Sequence, residues 1–162
     1  YIWNKICNIY LCLQNDLWLI RCTSFHFPDC SCPTGWSQYG KRCFLFQNTQ
    51  KDWASAERTC NDFGANLASI HDNNEHDFLK KLVKTETGSF QRTWVGGHDA
   101  EKEGVWLWSD GSKFDYNKWS SGQPDNTGSN EHCLAINYED PTYLWNDAPC
   151  TFKYVSICAK NA

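Results

Sequence analysis

The 162-residue sequence contains no methionine, position 1 included. That absence is expected of a processed product, a fragment or a trimmed chain. No Asn-x-Ser/Thr sequon occurs, so N-glycosylation is not expected. There is no Cys-x-x-Cys pair, which excludes a zinc ribbon and a thioredoxin-type redox motif. No apolar run reaches the ~18 residues of a membrane span. The apolar patches at 9–13 and 17–20 are interrupted by Asn15, Asp16 and Arg21. The same stretch lacks a clear basic n-region, apolar h-region and small-residue cleavage site, so no targeting role is assigned to it. A basic excess is missing too. Fifteen Lys and Arg stand against 19 Asp and Glu, a net charge of -4, which argues against nucleic acid or an anionic membrane surface as the main partner.

Signatures of catalysis are equally scarce. The chain has no Gly-x-Ser-x-Gly elbow, no phosphate-cradling glycine loop and no dinucleotide fingerprint, so it is not expected to be an enzyme. The run His71-Asp72-Asn73-Asn74-Glu75-His76 looks like a zinc-protease motif, but its spacing fits neither known order. It reads as the polar first turn of a helix.

Ten cysteines are present, and this is the strongest compositional signal. Without metal-ligand spacing they point to structural disulfides in an oxidising, extracellular compartment. Aromatics make up 15% of the chain, with nine tryptophans, which fits a globular domain with a real core. Composition shifts near residues 28–33. Residues 1–31 form an irregular segment bearing Cys7, Cys12, Cys22 and Cys30, and residues 32–162 read as one ordered domain. The four early cysteines allow three internal pairings, and any of them could bridge two chains into a disulfide-linked oligomer. Such an oligomer would raise avidity for multivalent targets.

Within the domain, 32–36 and 41–46 read as two short strands around a Gly40 turn. Residues 51–63 form a helix candidate with Trp53, Ala56, Cys60 and Phe63 on one face and Gly64 as its stop. A second helix is expected over 73–84, capped by Asp72 or Asn73, with Phe78, Leu79, Leu82 and Val83 inward. Strand-like runs follow at 94–95, 105–108, 133–138 and 155–158. Between them, 109–131 is long and polar, and a loop of that kind needs something beyond its own core to hold it. Disulfides and a metal are the candidates.

That loop carries Gln123, Asp125 and Glu131, and Asn146 and Asp147 follow further on. Three carboxylates and two amide carbonyls are all hard oxygen donors, the set that Ca²⁺ takes at roughly six to eight ligands. Zn²⁺ fits less well, because no cysteine or suitable histidine accompanies them. The plain alternative is a solvated polar loop.

The spaced motifs together resemble the C-type lectin-like domain family. They are Cys32-Pro33-x-Gly35-Trp36, Cys43, Trp53-x-x-Ala56-x-x-x-Cys60 and Gly64-Ala65-x-Leu67-Ala68-Ser69-Ile70. Trp94-Val95-Gly96-Gly97, Trp106-x-Trp108-Ser109-Asp110-Gly111, Gln123-Pro124-Asp125, Glu131-x-Cys133, Trp145-Asn146-Asp147, Cys150 and Cys158 complete the series. The match runs from Cys32 to about Lys160. Within the family the sequence is similar to small secreted fish lectins and to the type II antifreeze proteins related to them.

The resemblance implies an α+β fold, with two helices on short antiparallel sheets and a long calcium-binding loop. It implies the disulfides Cys32–Cys43, Cys60–Cys158 and Cys133–Cys150. It also implies a Ca²⁺ held by Gln123, Asp125, Glu131, Asn146 and Asp147, with Pro124 cis and sugar hydroxyls bound directly to the ion and to those side chains. The Gln-Pro-Asp order is the family's signal for galactose-type glycans. The Trp that follows the motif in strong galactose binders is replaced by Asn126-Thr127-Gly128, which leaves Trp119 or Tyr143 as candidate stacking residues. An auxiliary calcium site of some relatives would use Asp99 and Glu103. Asn126 and His132 depart from its pattern, so the two acidic residues are expected to be solvated loop charges. Ice binding on the same scaffold is the alternative function, and a protein target is a third.

Overall fold

A computed structural model describes residues 31–138 and 142–162. The expectations about Cys7, Cys12, Cys22 and Cys30, and the boundary at residue 31, fall on or against residues outside that range. The described chain runs through β1 (Ser37–Tyr39), β2 (Arg42–Lys51), α1 (Trp53–Asp62), β3 (Asn66–Leu67) and α2 (Asn73–Thr87). It continues through β4 (Thr93–His98), β5 (Leu107–Trp108), β6 (Cys133–Tyr138), β7 (Leu144–Ala148) and β8 (Tyr154–Asn161). Among the described residues no helix is long and apolar enough to cross a membrane.

The strands join one sheet in the order β1-β2-β8-β4-β6-β7, with β3 on β8 and β5 on β4. All pairs are antiparallel except β4 with β8, where Thr93 faces Val155 and Trp94 faces Ser156 in parallel. Side chains on a strand alternate between faces, and here both faces are buried. Val95, Leu134, Ile136, Trp145 and Ile157 enter one core with Leu79, Leu82 and Val83 of α2. Their chain neighbours Trp94, Cys133, Ala135 and Cys158 enter a second core with Ala56 and Cys60 of α1. The sheet is therefore sandwiched between the two helices. Each fully buried Leu or Ile contributes about 1.5–3 kcal/mol relative to exposure.

Both helices begin and end where local chemistry dictates. Asp52 accepts from the Ser55 amide at 2.9 Å to open α1, and Asp72 accepts from the Glu75 amide at 2.8 Å to open α2. After α1, Gly64 takes a left-handed φ of 64°. After α2, Gly88 does the same at 78° and donates to the Lys84 carbonyl.

Three disulfides lock these elements: Cys32–Cys43, Cys60–Cys158 and Cys133–Cys150. The second ties α1 to β8 across 98 residues of sequence. The third joins the start of β6 to the turn after β7, at the base of the long loop.

Several local expectations are corrected. The first strand is 37–39, not 32–36, because the Trp36 amide donates to Pro33 in a turn. Phe63 does not join the inward face of α1 but is 46% exposed, edge-on to Trp36, since the helix ends one residue before it. At 105–108 only the last two residues pair, and Val105 and Leu107 are exposed. The first turn of α2 is not simply solvated. Glu75 is buried and binds Arg42 at 2.5 Å, while its other oxygen accepts from the His71 amide at 2.9 Å. His76 is wholly buried.

Candidate functional site

The long polar segment is held first by aromatic packing. Trp119 forms a parallel bridge with Trp145, in which the Trp145 amide donates to Lys118 and the Ser120 amide donates to Trp145. The Trp119 ring lies 4.7 Å from Trp106 and 5.8 Å from Trp145, and Tyr116 and Phe114 also pack on Trp145. This anchor accompanies the brace at Cys133–Cys150. It also engages Trp119, one candidate stacking residue, and Tyr143 is likewise engaged, 4.2 Å from Phe90.

From that anchor the chain turns at Gly122 into a cis Gln123–Pro124 bond, as expected. The Gln123 amide nitrogen donates to Asp125 at 3.3 Å, while its Oε1 is buried and has no partner. Asp147, on the buried edge strand β7, is 1% exposed and accepts from two loop amides, Asp125 at 3.2 Å and Asn126 at 2.7 Å. Strand and loop are thereby joined by a single carboxylate. The Thr127 amide donates to Asp125 and to Glu131, and its hydroxyl donates to Asp125 at 2.8 Å.

One carboxylate oxygen from each of Asp125, Glu131 and Asp147 lies within 4.8 Å of the others. Among the described residues none of the three has an ion-pair partner. Burial, together with the Asp147 and Asp125 charges, raises the Glu131 carboxyl above its ordinary range despite the Thr127 amide. The Thr127 hydroxyl, foremost, lowers Asp125. Asn146 sits beside Asp147 on β7, and its amide nitrogen donates to the Asp147 carbonyl. Thus three expected residues converge, Gln123 is hydrogen-bonded to one of them, and Asn146 is their immediate neighbour.

Sequence reasoning missed the part of Asn126 and Thr127. Asn126 adopts a left-handed φ of 44°, accepts from the Glu131 amide at 3.0 Å and donates to Glu103 at 2.5 Å. The signal was available, since Asn tolerates that conformation and bonds nearby backbone.

The auxiliary position is built differently from expectation. Asp99 is not a solvated charge but 1% exposed, accepting from the Gly104 amide at 2.8 Å. His132 Nδ1 lies 3.1 Å from Asp99 and 3.6 Å from Glu103, so an imidazole stands against both carboxylates. A nitrogen donor does not fit the all-oxygen shell of Ca²⁺.

The family described as lectin C-type domain matches residues 49–160. Ladderlectin of Oncorhynchus mykiss is 50% identical over 131 residues, covering 80% of this chain and 68% of that protein. The galactose-specific lectin nattectin of Thalassophryne nattereri is also 50% identical over 131 residues, covering 81% of each. The structure of herring type II antifreeze protein superposes with a TM-score of 0.75 at 41% identity, covering 81% of this chain and 99% of that one.

Proposed function

The chain belongs to the C-type lectin domain family, and from that premise we propose that it is a secreted lectin binding galactose-type glycans through one Ca²⁺. Gln123, Asp125, Glu131, Asn146 and Asp147 would hold the ion. The observation that carries this reading is the convergence of three carboxylates without an ion-pair partner beside the partnerless Gln123 Oε1. A buried acceptor and three gathered anions are costly unless a donor or cation completes them. All-oxygen donors of this kind suit Ca²⁺.

When bound, the ion supplies coordination sites for two vicinal sugar hydroxyls. The protein side chains supply direction. Carboxylate oxygens of Asp125 and Glu131 accept from those hydroxyls, and the amide nitrogens of Gln123 and Asn146 donate to their oxygens. Asp147 holds the loop on β7 so that these groups face one point. The Gln123–Asp125 order supports a galactose-type arrangement, as does 50% identity to a lectin described as galactose-specific.

Retention on immobilised galactose and mannose, with calcium and then with chelator, tests the proposal. Galactose retention abolished by chelator is expected. Mannose preference would refute the specificity, and calcium-independent retention would refute the metal bridge. Ice binding is the second reading, favoured by the likeness to herring type II antifreeze protein. Thr127 weakens it, because its hydroxyl is turned to Asp125. Thermal hysteresis without sugar retention would reverse the order.

A further inference from the structure

The core beneath the candidate site contains a titratable group that the site does not use. His76, in the first turn of α2, has no exposed surface, and neither Nδ1 nor Nε2 has a hydrogen-bond partner. Buried polar atoms are almost always paired, so an imidazole with both nitrogens unpaired needs an explanation. Its ring meets Trp145 at 6.2 Å and 60°. Trp145 is the residue whose backbone carries Lys118 and Ser120 and whose chain neighbours are Asn146 and Asp147.

We propose that His76 is an acid-sensitive latch under the ligand loop. Protonation of its ring releases the segment around 116–120 and the seat of Trp145, and so loosens the loop whatever ligand it binds. The neutral ring is tolerated in an apolar site at moderate cost, but an imidazolium needs partners for two N–H groups. The packed surroundings offer few. On α2 itself, the Asp77 carboxylate, 3.6 Å from Nδ1 and 43% exposed, favours the charged ring, but burial and the two lysines outweigh it. Lys80, also on α2, and Lys118, on the covering segment, both oppose a positive ring. Tyr116 packs on Trp145 from the same segment, and from β7 the uncharged Trp145 ring meets the imidazole. Lys118 also closes the segment onto α2 by donating to Asn73.

Burial, reinforced by Lys118 and Lys80, pushes His76 down from 6.5 to about 4. The folded-state value is therefore lowered. The closed form is fully favoured above the open-state value and loses that advantage as pH falls from 6.5 toward 4. From pH 7 to pH 4 the open-to-closed ratio rises by about 100-fold, because the slope flattens as the pH nears either value.

The test uses the full chain with chelator present, so neither cation release nor sugar binding enters the readout. Amide-exchange protection factors for 113–123 and 144–148 are measured from pH 7 to pH 4 in the wild type and in His76→Phe, which keeps the ring packing but cannot titrate. Protection in the wild type is expected to fall by up to about 100-fold, with His76→Phe retaining most of it. A wild-type profile that stays flat, or a variant that loses protection in parallel, overturns the latch. Should His76→Phe fail to fold, NMR titration of the wild-type His76 ring decides the matter. A midpoint below 5 is expected, and one at or above 6.5 overturns it.

Discussion

Asp147→Asn separates two roles that one carboxylate fills. In the wild type, Asp147 accepts the Asp125 and Asn126 amides on its two oxygens at 3.2 and 2.7 Å, and it faces Asp125 and Glu131. An asparagine of the same shape presents one oxygen and one NH₂ group, so one loop amide would meet a donor. Losing one hydrogen bond to a charged acceptor costs about 1.5–3 kcal/mol. Because that bond shapes the loop before any ion arrives, the loss reduces cation affinity by about 10- to 150-fold, at 1.4 kcal/mol per factor of ten. The loss of charge adds to this. Glu131→Gln is the comparison, since Glu131 accepts the Thr127 amide on Oε2 and lies on the loop itself. Titration calorimetry with Ca²⁺ reads the affinity, and amide exchange of Asp125 and Asn126 in chelator reads the loop. Asp147→Asn should degrade both, and Glu131→Gln chiefly the affinity. If Asp147→Asn leaves calcium affinity within threefold of wild type, or leaves both amides fully protected, the strand-to-loop argument is refuted.

Removing Cys60–Cys158, which closes 98 residues, should destabilise the domain by about 4.7 kcal/mol in the chain-entropy treatment, read by urea denaturation of the double Ala variant. Gly97→Ala should cost about 1–3 kcal/mol, because its Cβ would stand 2.7 Å from a Leu134 methyl, and Gly96→Ala should cost more, because its Cβ would meet the rigid Leu67 carbonyl oxygen at 2.6 Å. Comparable stability of either variant and wild type in thermal melts would contradict the packing argument. In chelator, the raised Glu131 carboxyl contributes stability that is present below its unfolded value and lost as pH rises through its folded value. The lowered Asp125 has the opposite sign and loses its contribution only as pH falls below the ordinary carboxylate range. Added Ca²⁺ should therefore raise the melting temperature more at pH 7 than at pH 4.5, and an equal rise at both would count against the anionic site.

The domain's helices were legible because their signals are local. Asp72 and Gly64 act within a turn of themselves, and the apolar spacing of Leu79, Leu82 and Val83 needs no partner to be recognised, while the unread signals Asp52 and Gly88 set α1 to start at 53, not 51, and α2 to end at 87, not 84. Strand limits were less legible. Whether 32–36 or 37–39 pairs with β2 depends on register: the tight hairpin about Gly40 sets Tyr39 opposite Arg42 and Ser37 opposite Phe44, and 33–36 is spent in a turn. The double glycine at 96–97 is plain in the sequence, but its reason, the approach of Leu67 and Leu134, is tertiary.

Burial of charge was the least legible property, and the failures share one cause. Asp99, Glu75 and His76 each occupy a segment that reads as polar surface. Asp99 is buried with a backbone amide and His132 to satisfy it, and Glu75 is buried with Arg42 brought from 33 residues away. A polar residue can enter the core only where such partners wait, and partners from other strands leave no trace in the local pattern. His76 is the instructive exception: it is buried with neither ring nitrogen hydrogen-bonded, and its nearest carboxylate, on Asp77, is 3.6 Å away. Partnered burial holds a charge in the folded state for as long as both partners keep their charge. Unpartnered burial makes the structure conditional on the group remaining neutral. That is why, of the three, the histidine beneath Trp145 is the one whose charge state governs the loop above it.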